Sequence, residues 1–375
     1  MDKQDIFAAT VDHYLAPLQE YLSDPGVTEV MINKADEIYI EKDGEMVRTQ
    51  ARFPTQDAYE AAVNNVLQYT GRSLADREAL IDARLPDGSR VHVVKSPCAR
   101  YGMAVSIRKF SKSMLDMDWL VELGTLTEQA REFLRLTVGA ERNLLVAGGT
   151  STGKTSLLNA LSAYVPKTNR VVLIEDSAEL QLQQDHVVSL ETKPADRYGR
   201  GAVGIRELFR SSLRLRPDRV IIGEVRGGEA LDMIQAMTSG QGGSMGTLHA
   251  NNPRDALNRL ETMALMSDIE LPLHALRAQV ASAIDVIVQM NRFMGGRRLV
   301  SHIAEVDTLG DDGRYQIREL FAMAADRDDP DNHMQLTWTG ERSSLAGQLK
   351  PEQMQYVTEL TAPIFEETSS GRSQA

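Results

Sequence analysis

The spacing of hydrophobic positions changes near residue 125, and the change separates two kinds of predicted structure. Before it, apolar residues at helical spacing predict helices over 4–22 and near 55–69. Alternating or apolar runs bounded by turn signals predict strands at 27–33, 37–41 and 103–110, with a hairpin over 83–90. Residues 1–110 are therefore predicted to form an α+β sheet domain.

After residue 125, helical patterns alternate with short runs that are apolar at every position except Ser189. These runs are 144–147, 171–174, 187–190 and 220–222. Strands buried on both faces have this pattern, so residues 125–325 are predicted to form an α/β domain, with helices around a mainly parallel sheet. The periodicity fades over 111–124, where we place a linker. Residues 326–375 are predicted to be a C-terminal extension with a loose polar tail.

Composition and charge restrict the setting in which the protein works. No apolar run approaches the roughly 18–20 residues of a membrane span, and the first residues lack the hydrophobic region of a signal peptide, so we expect a cytoplasmic protein without a transmembrane segment. Cys98 is the only cysteine, which excludes an internal disulfide and a cysteine-based zinc cluster. The net charge of −12 disfavours non-specific attachment to DNA or anionic lipid over the whole surface.

A glycine-rich segment follows the first apolar run. Residues 148–155 read Gly-Gly-Thr-Ser-Thr-Gly-Lys-Thr and fit the phosphate-loop (P-loop) pattern G-x-x-x-x-G-K-[ST], between a predicted strand and a predicted helix. This order aims several backbone N–H groups at one anion. We expect ATP there, with Lys154 at the β- and γ-phosphates and Thr155 on Mg²⁺. The predicted nucleotide-binding residues are Gly148, Gly149, Thr150, Ser151, Thr152, Gly153, Lys154, Thr155 and Ser156.

Polar side chains follow other apolar runs, and in a parallel sheet ligands bind beyond the carboxyl ends of the strands. Glu224 ends the most apolar of these runs, and we assign it the positioning or activation of water. The alternative is a strand-end carboxylate that pairs with Arg226. His249 lies near another strand end and could report loss of the γ-phosphate to the helix that begins at Pro253. The alternative for His249 is a structural role.

A second group of carboxylates is assigned to catalysis and metal binding. Gly223 stands where many P-loop enzymes have a metal-binding Asp, so the metal must find other ligands. The predicted Mg²⁺ ligands are Thr155 and, partly through water, Glu175, Asp176 and Glu179. Glu175 is also predicted to be catalytic.

Two groups of arginines are candidates for contact with anions. One group has the helical spacing i, i+4, i+8, at which like charges destabilise a lone helix, and consists of Arg206, Arg210 and Arg214. Its partner could be a neighbouring subunit or nucleic acid, and the alternative is a solvated helix face. The other group lies in the first domain, could reach a nucleotide across the domain junction, and consists of Arg84, Arg90 and Arg108.

The order of these segments resembles that of the secretion ATPases shared by type II and type IV secretion systems and type IV pili. That family has a P-loop, an Asp box, a Walker B variant ending in Gly-Glu, and a His box. The matching segments here are 148–155, 174–180, 216–226 and 246–251. Within the family, segments 179–184, 224–233 and 254–263 look like the tight-adherence (Tad) pilus ATPase branch, of the CpaF type. The similarity extends from about Pro17 to Phe321.

By this resemblance the protein is expected to be an ATP hydrolase with a sheet domain followed by a RecA-like P-loop NTPase domain, working as a hexameric ring. The resemblance assigns phosphate contacts to Arg90 and Arg108. It implies docking on inner-membrane platform proteins, with no direct contact with nucleic acid. One departure is that Ser151 and Thr152 replace glycines common in the branch, although non-glycine residues tolerate positive φ poorly.

The leading hypothesis is a motor that couples ATP hydrolysis to assembly, retraction or secretion by a Tad or type IV-like pilus. The alternatives are a conjugative or type IV secretion ATPase, a RecA-like nucleic-acid translocase, and a small-molecule P-loop kinase. DNA-stimulated turnover with strong salt dependence would favour the translocase. The separate sheet domain with its own arginines fits a ring better than a kinase lid.

Overall fold

Two compact units make up the chain, Met1–Ser113 and Met114–Ala375. The computed structural model describes residues 10–75, 78–110, 116–195, 199–240, 242–325, 334–345, 349–354 and 357–365. The predicted polar tail and the first residues of the predicted linker, 111–115, lie outside the described residues.

The first unit is an antiparallel sheet with a helix packed on one face. Its strands are β1 (Val27–Lys34), β2 (Glu37–Lys42), β3 (Glu45–Arg48), β4 (Leu80–Arg84), β5 (Arg90–Lys95) and β6 (Met103–Arg108). Within the described ranges the strand order is β3-β2-β1-β6-β5-β4. Alternate residues such as Val93 and Ile107 are buried and share a core with Tyr59 and Val63 of the packed helix.

The two helical patterns of the first unit have different outcomes. The pattern over 4–22 is broken near Pro17, which lacks a backbone N–H, and the described part ends with α1 (Gln19–Ser23). The second pattern forms the continuous helix α2 (Gln56–Tyr69). It begins there because Thr55 Oγ1 accepts a hydrogen bond from the Ala58 N–H at 3.1 Å.

The second unit is built on a mixed sheet whose centre is parallel. Its strands are β7 (Leu144–Gly148), β8 (Val171–Glu175), β9 (Val187–Glu191), β10 (Arg219–Ile222), β11 (Met245–Leu248), β12 (Val286–Arg292), β13 (Arg298–Leu309), β14 (Tyr315–Ala325) and β15 (Met334–Trp338). In the part of the chain that is described, their order is β15-β14-β13-β12-β7-β11-β10-β8-β9. In this order, each strand from β12 through β7, β11, β10 and β8 to β9 is parallel to the next. The pairs β12–β13, β13–β14 and β14–β15 are antiparallel.

Helices cover both faces of this sheet. They are α3 (Met117–Glu122), α4 (Glu128–Gly139), α5 (Lys154–Ser162), α6 (Ile205–Ser212), α7 (Glu229–Thr238), α8 (Pro253–Ala264), α9 (Leu273–Ala283) and α10 (Pro351–Met354). In β7, Leu144 and Val146 pack into the core formed with α4 and α5, whereas Leu145 and Ala147 pack into the core formed with α7 to α9. Burial on both faces explains why this run has no polar positions.

Two predicted boundaries do not match the packing of the second unit. Helix α3 lies within the predicted linker 111–124, and its Met117 and Leu120 are buried in the core. In the predicted extension 326–375, β15 pairs with β14, and Phe365 joins the same core. Helix α3 was missed because six residues are too short to display a period, whereas β15 had a short strand signal in the alternation of Met334, Leu336 and Trp338.

Gly243, in the turn before β11, is required by a buried arginine. Arg219, at the start of β10, is 1% exposed and donates hydrogen bonds to the carbonyl oxygens of Val138 and Gly243, both at 3.1 Å, and to Asn169 Oδ1 at 3.0 Å. The backbone of Gly243 has a φ of 74°, and a Cβ there would lie 1.9 Å from Arg219 Nη1. The turn therefore has room for hydrogen only.

Replacing Gly243 by Ala should lower the free energy of unfolding by about 3 kcal/mol or more, because Arg219 must leave its buried hydrogen bonds. Gly240→Ala is the matched control. Gly240 has a φ of 110° with no atom within 4 Å of its would-be Cβ, so only backbone strain of about 1–2 kcal/mol applies. Urea denaturation measures both variants. Equal losses of unfolding free energy in Gly243→Ala and Gly240→Ala would contradict the buried position of Arg219.

Candidate nucleotide site

The carboxyl ends of neighbouring parallel strands bring four predicted segments to one edge of the sheet. The P-loop connects β7 to α5, Glu175 ends β8, Glu224 follows β10, and His249 follows β11. These strands are adjacent in the sheet, and each segment comes directly after its strand. The second unit thus brings together side chains that are as many as 95 residues apart in the sequence.

The P-loop has a tightly packed backbone. A Cβ on Gly148 would lie 2.6 Å from both the Met290 carbonyl oxygen and Thr152 Oγ1, so only glycine fits there. Gly153, the N-cap of α5, has a φ of 94°. Ser151 also has a positive φ, of 56°, whereas Thr152 does not. Of the two positions where the resembled branch commonly has glycine, only Ser151 therefore carries backbone strain, on the order of 1 kcal/mol.

The Lys154 side chain is held inside the P-loop by a backbone carbonyl oxygen of the loop. Its side chain is buried, and Nζ donates to the Gly149 carbonyl oxygen at 2.7 Å. Nζ also lies 3.4 Å from His249 Nδ1. Since an ammonium group can only donate, it faces the lone pair of Nδ1, which leaves the imidazole proton on Nε2.

Glu224 lies between two basic side chains. Its Oε2 accepts a hydrogen bond from Arg226 Nη2 at 2.8 Å, and its Oε1 lies 3.0 Å from His249 Nε2. Burial opposes ionisation of Glu224, but the Arg226 hydrogen bond and the surrounding positive charge hold its pKa below the usual value. The carboxylate is therefore ionised at neutral pH. Glu224 therefore pairs with Arg226, as the alternative assignment expected, and it also lies close to His249 and Lys154.

His249 is a neutral imidazole near pH 7. Burial lowers its pKa, the Lys154 ammonium lowers it further, and the opposing effect of Glu224 is smaller. Three residues later, Asn252 caps α8 by accepting a hydrogen bond from the Asp255 N–H at 2.8 Å. His249 is thus joined to the start of this helix by a short connection.

Arg226 joins two of the predicted motifs, a role that the sequence did not reveal. Besides its bond to Glu224, its Nη1 lies 3.3 Å from Asp176 Oδ2. Asp176 also accepts from Thr192 Oγ1 at 2.9 Å. The guanidinium therefore bridges the strand ends of β8 and β10. The signal available in the sequence was the Glu-Val-Arg triplet, which brings the two side chains to the same side of an extended segment.

Glu175 explains why glycine follows β10. Its carboxylate is 4% exposed, and Oε1 accepts hydrogen bonds from the N–H groups of Glu179 at 2.9 Å and Leu180 at 3.0 Å. A Cβ on Gly223 would lie 3.0 Å from Glu175 Cγ, so Glu175 occupies the space that a larger residue there would need. Burial raises the pKa of Glu175 to about 7, although the two N–H groups oppose the shift.

This raised pKa predicts a dependence of stability on pH. The ordinary pKa of a glutamate is 4.5. Between that pH and about pH 7, the folded protein keeps a proton on Glu175 that the unfolded chain releases, so stability falls as pH rises. Glu175→Gln should remove this fall. We expect its advantage in unfolding free energy over wild type to be small at pH 5 and up to about 3 kcal/mol at pH 8.

Urea denaturation at several pH values, with Glu319→Gln as control for an exposed carboxylate on β14, measures the effect of Glu175→Gln. An advantage that does not change with pH would contradict the burial of an uncharged carboxyl group at Glu175.

The predicted metal ligands do not converge as a cluster. In the described ranges no group of three or more His, Cys, Asp and Glu side chains could hold a metal ion. One oxygen of Glu175 faces the backbone, and Asp176 faces Arg226 and Thr192. Mg²⁺ at nucleotide sites usually keeps several waters and takes few protein ligands besides phosphate oxygens. Thr155, at the start of α5, fits that pattern, and the assignment of Mg²⁺ to these residues stays a prediction.

The arginine row on α6 has acidic partners in its own unit. Asp232 of α7 accepts hydrogen bonds from Arg206 Nε at 2.9 Å and from Arg210 Nε at 2.8 Å. Arg206 Nη1 also donates to Asp268 at 2.8 Å. For Arg206 and Arg210, a neighbouring helix therefore supplies an anion within the unit, and the expectation of a subunit or nucleic-acid partner stays a prediction. Arg214 is exposed.

The arginines of the first unit form a row across its sheet. Arg84 pairs with Arg90, and Arg90 with Arg108, in the registers of β4, β5 and β6. Directly paired residues of antiparallel strands share a face, and this face is opposite the buried Val91 and Ile107. The contact of Arg90 and Arg108 with phosphate stays a prediction.

Comparisons with known proteins agree with the resemblance to the secretion ATPases. The type II/IV secretion system protein family matches residues 12–335. PtlH, a type IV secretion system protein of Bordetella pertussis, is 35% identical over 324 residues, covering 79% of this chain and 95% of PtlH. A putative conjugal transfer protein of Mycobacterium tuberculosis is 33% identical over 293 residues, covering 76% of this chain and 83% of that protein. VirB11 of Brucella suis is 31% identical over 314 residues, covering 76% and 86%.

Solved structures confirm the predicted fold class. The pilus retraction motor PilT with bound ADP has a TM-score of 0.55 at 18% identity, covering 82% of each chain. The ATPase DotB of Legionella pneumophila has a TM-score of 0.54 at 16% identity, covering 76% of this chain and 79% of DotB. The fold is an N-terminal sheet domain followed by a RecA-like domain. None of the described helices is both long and apolar enough to cross a bilayer.

Proposed function

The chain belongs to the type II/IV secretion system protein family, and on that premise we propose that it is a traffic ATPase that couples ATP hydrolysis to the transport or assembly of macromolecules. The observation that carries this proposal is the contact series Lys154, His249, Glu224 and Arg226 at the end of the parallel sheet. A phosphoryl-transfer site needs a cation at the phosphates and a group that orients water. Both are within this series.

Glu224 orients the attacking water in this proposal. The reaction forms a bond from the water oxygen to the γ-phosphorus and breaks the bond from that phosphorus to the bridging oxygen of ADP. The lowered pKa of Glu224 makes it a weak proton acceptor, so we assign it the alignment of water more than the storage of its proton. Mg²⁺, when bound beside Thr155, would neutralise charge on the phosphate oxygens.

Lys154 couples the phosphates to His249 in the same proposal. Its ammonium contacts the Gly149 carbonyl oxygen and His249 Nδ1, and a γ-phosphate would attract it away from both. His249 would then lose the neighbouring cation that lowers its pKa. Because α8 begins four residues after His249, this change has a short route into the helices of the second unit. We keep His249 as the residue that reports the state of the γ-phosphate.

We also propose that Arg90 and Arg108 neutralise phosphate charge during turnover and that the active form is a hexameric ring. The support is the adjacency of the two arginines in the first unit, together with family membership. Replacing Arg108 by Gln should lower the rate at saturating ATP without lowering the stability of the protein, because Arg108 is exposed. An unchanged rate would contradict the role of Arg108.

The type of machine has two supported candidates. Relatives such as PtlH and the conjugal transfer protein favour a type IV secretion or conjugation motor. The segments 179–184, 224–233 and 254–263 favour a Tad pilus motor. In both, the protein would work in the cytoplasm and dock on inner-membrane components. Deletion of the gene, with pilus display and mating frequency measured in the same strain, distinguishes the two.

Purified protein tests the proposal directly. We expect phosphate release from ATP that requires Mg²⁺, with no acceleration by single- or double-stranded DNA at low salt. DNA-stimulated turnover that falls steeply with salt would support a translocase instead. Phosphate transfer to a soluble acceptor, with no release to water, would contradict an ATPase.

A further inference from the structure

Three arginines lie on the hairpin that follows the strand next to the P-loop. This hairpin, residues 292–298, joins β12 to β13 and contains Arg292, Arg297 and Arg298. Strand β12 runs parallel to β7, with Met290 in register with Gly148. The arginine hairpin therefore begins two residues beyond the end of β7, alongside the P-loop.

The stem of Arg298 lies against the P-loop itself. The position that a Cβ would take on Gly153 is 3.7 Å from Arg298 Cδ and 3.4 Å from Met290 Cε. On Gly148, a Cβ would meet the Met290 carbonyl oxygen at 2.6 Å. Met290 of β12 thus approaches the P-loop at both glycines, and Arg298 of the arginine hairpin approaches it at Gly153.

Arg292 and Arg298 bring two positive charges to the same position of the hairpin. The two residues are directly opposite in the register of β12 and β13. Directly paired residues of antiparallel strands share a face, so both guanidinium groups can donate charge-assisted hydrogen bonds to one anion. Arg297, by contrast, has its Nη2 3.7 Å from the would-be Cβ of Gly124, at the other side of the hairpin.

The sheet order determines which part of a nucleotide would meet the arginine hairpin. Strands β11, β10 and β8 lie on one side of β7, and they carry His249, Glu224 and Glu175. Strands β12 and β13 lie on the other side. We place the γ-phosphate at His249 and Glu224 and the α-phosphate and nucleoside on the opposite side of β7. That side carries Arg298.

We propose that Arg298 binds the α-phosphate of the nucleotide, with Arg292 adding positive charge behind it. This inference rests on the proposed function, because it uses the P-loop as the phosphate site. It makes Arg298 a determinant of nucleotide affinity rather than of water attack. ADP and ATP share the α-phosphate, so both depend on Arg298 to the same extent.

The test measures ADP and ATP binding to the full chain by isothermal titration calorimetry, using Glu224→Gln protein for ATP. In wild type for ADP and in the Glu224→Gln background for ATP, Arg298→Gln should weaken the binding of both nucleotides by the same factor, about tenfold or more. Arg298→Lys keeps a cation and should lose less than the Gln variant. Arg297→Gln is the matched control on the same hairpin and should bind both nucleotides as wild type does.

Each outcome decides the inference. Wild-type affinity for ADP in Arg298→Gln overturns it while leaving the proposed function intact. A loss confined to ATP also overturns it, since that would assign Arg298 to the γ-phosphate. If wild-type protein binds neither ADP nor ATP, the proposed function fails and the inference fails with it. Melting temperatures of the Gln and Lys variants equal to that of wild type show that any loss of affinity is not caused by unfolding.

Discussion

Replacing Glu224 by Gln should slow ATP hydrolysis at least about 100-fold and leave ATP binding close to that of wild type. The substitution keeps the size of the side chain but removes the charge that lies 2.8 Å from Arg226 Nη2 and 3.0 Å from His249 Nε2. An amide cannot align a water molecule with the same strength as a carboxylate. Steady-state phosphate release and calorimetric ATP binding, measured on the same preparation, separate the two effects.

Glu122→Gln, an exposed carboxylate on α3, is the matched control for Glu224→Gln and should keep wild-type turnover. Turnover by Glu224→Gln within a few-fold of wild type would remove the assignment to Glu224. Loss of ATP binding in this variant would instead assign Glu224 to the nucleotide pocket. The lowered pKa of Glu224 adds a second readout, since wild-type turnover should not depend on Glu224 titration above neutral pH.

Replacing Lys154 by Gln should weaken ATP binding about 100-fold, which makes it the second large effect. The ammonium is buried and held 2.7 Å from the Gly149 carbonyl oxygen, so it is already inside the loop that would surround the phosphates. A neutral amide leaves the phosphate charge without this counter-charge. Titration with a fluorescent ATP analogue measures the loss.

Lys167→Gln, an exposed lysine in the same unit, controls for a general effect of removing one positive charge. It should bind ATP as wild type does. If Lys154→Gln binds ATP with wild-type affinity, the P-loop is not the nucleotide site, and the roles assigned to Glu224 and His249 lose their basis. Together, the Lys154 and Glu224 variants separate binding from hydrolysis.

Much of the second unit could be predicted because its signals are local. The apolar runs over 144–147, 171–174 and 220–222 became central parallel strands, since burial on both faces leaves no polar position. The P-loop pattern gave the turn between β7 and α5. The strands of the first unit could be predicted from alternating hydrophobic residues and turn signals, which are also local.

Long-range pairings could not be predicted in this way. Arg206 and Arg210 looked like unpaired charges on one helix, and their partner, Asp232, lies on another helix more than twenty residues away. Nothing in the local pattern links them. Likewise, Gly223 looked like a missing metal ligand, whereas the structure shows that the buried Glu175 side chain fills the adjacent space.

By itself, the sequence determined which segments form the central strands and which residues are candidates for chemistry, because motif spacing and hydrophobic periodicity act over a few residues. Only the tertiary structure decided which charges neutralise one another. The sheet order brings Glu224 to 3.0 Å from His249 and Arg226 to 3.3 Å from Asp176, and it places the arginine hairpin beside the P-loop. The physical reason is that charge interactions depend on distance in space, and that distance is set by strand order rather than by separation along the chain.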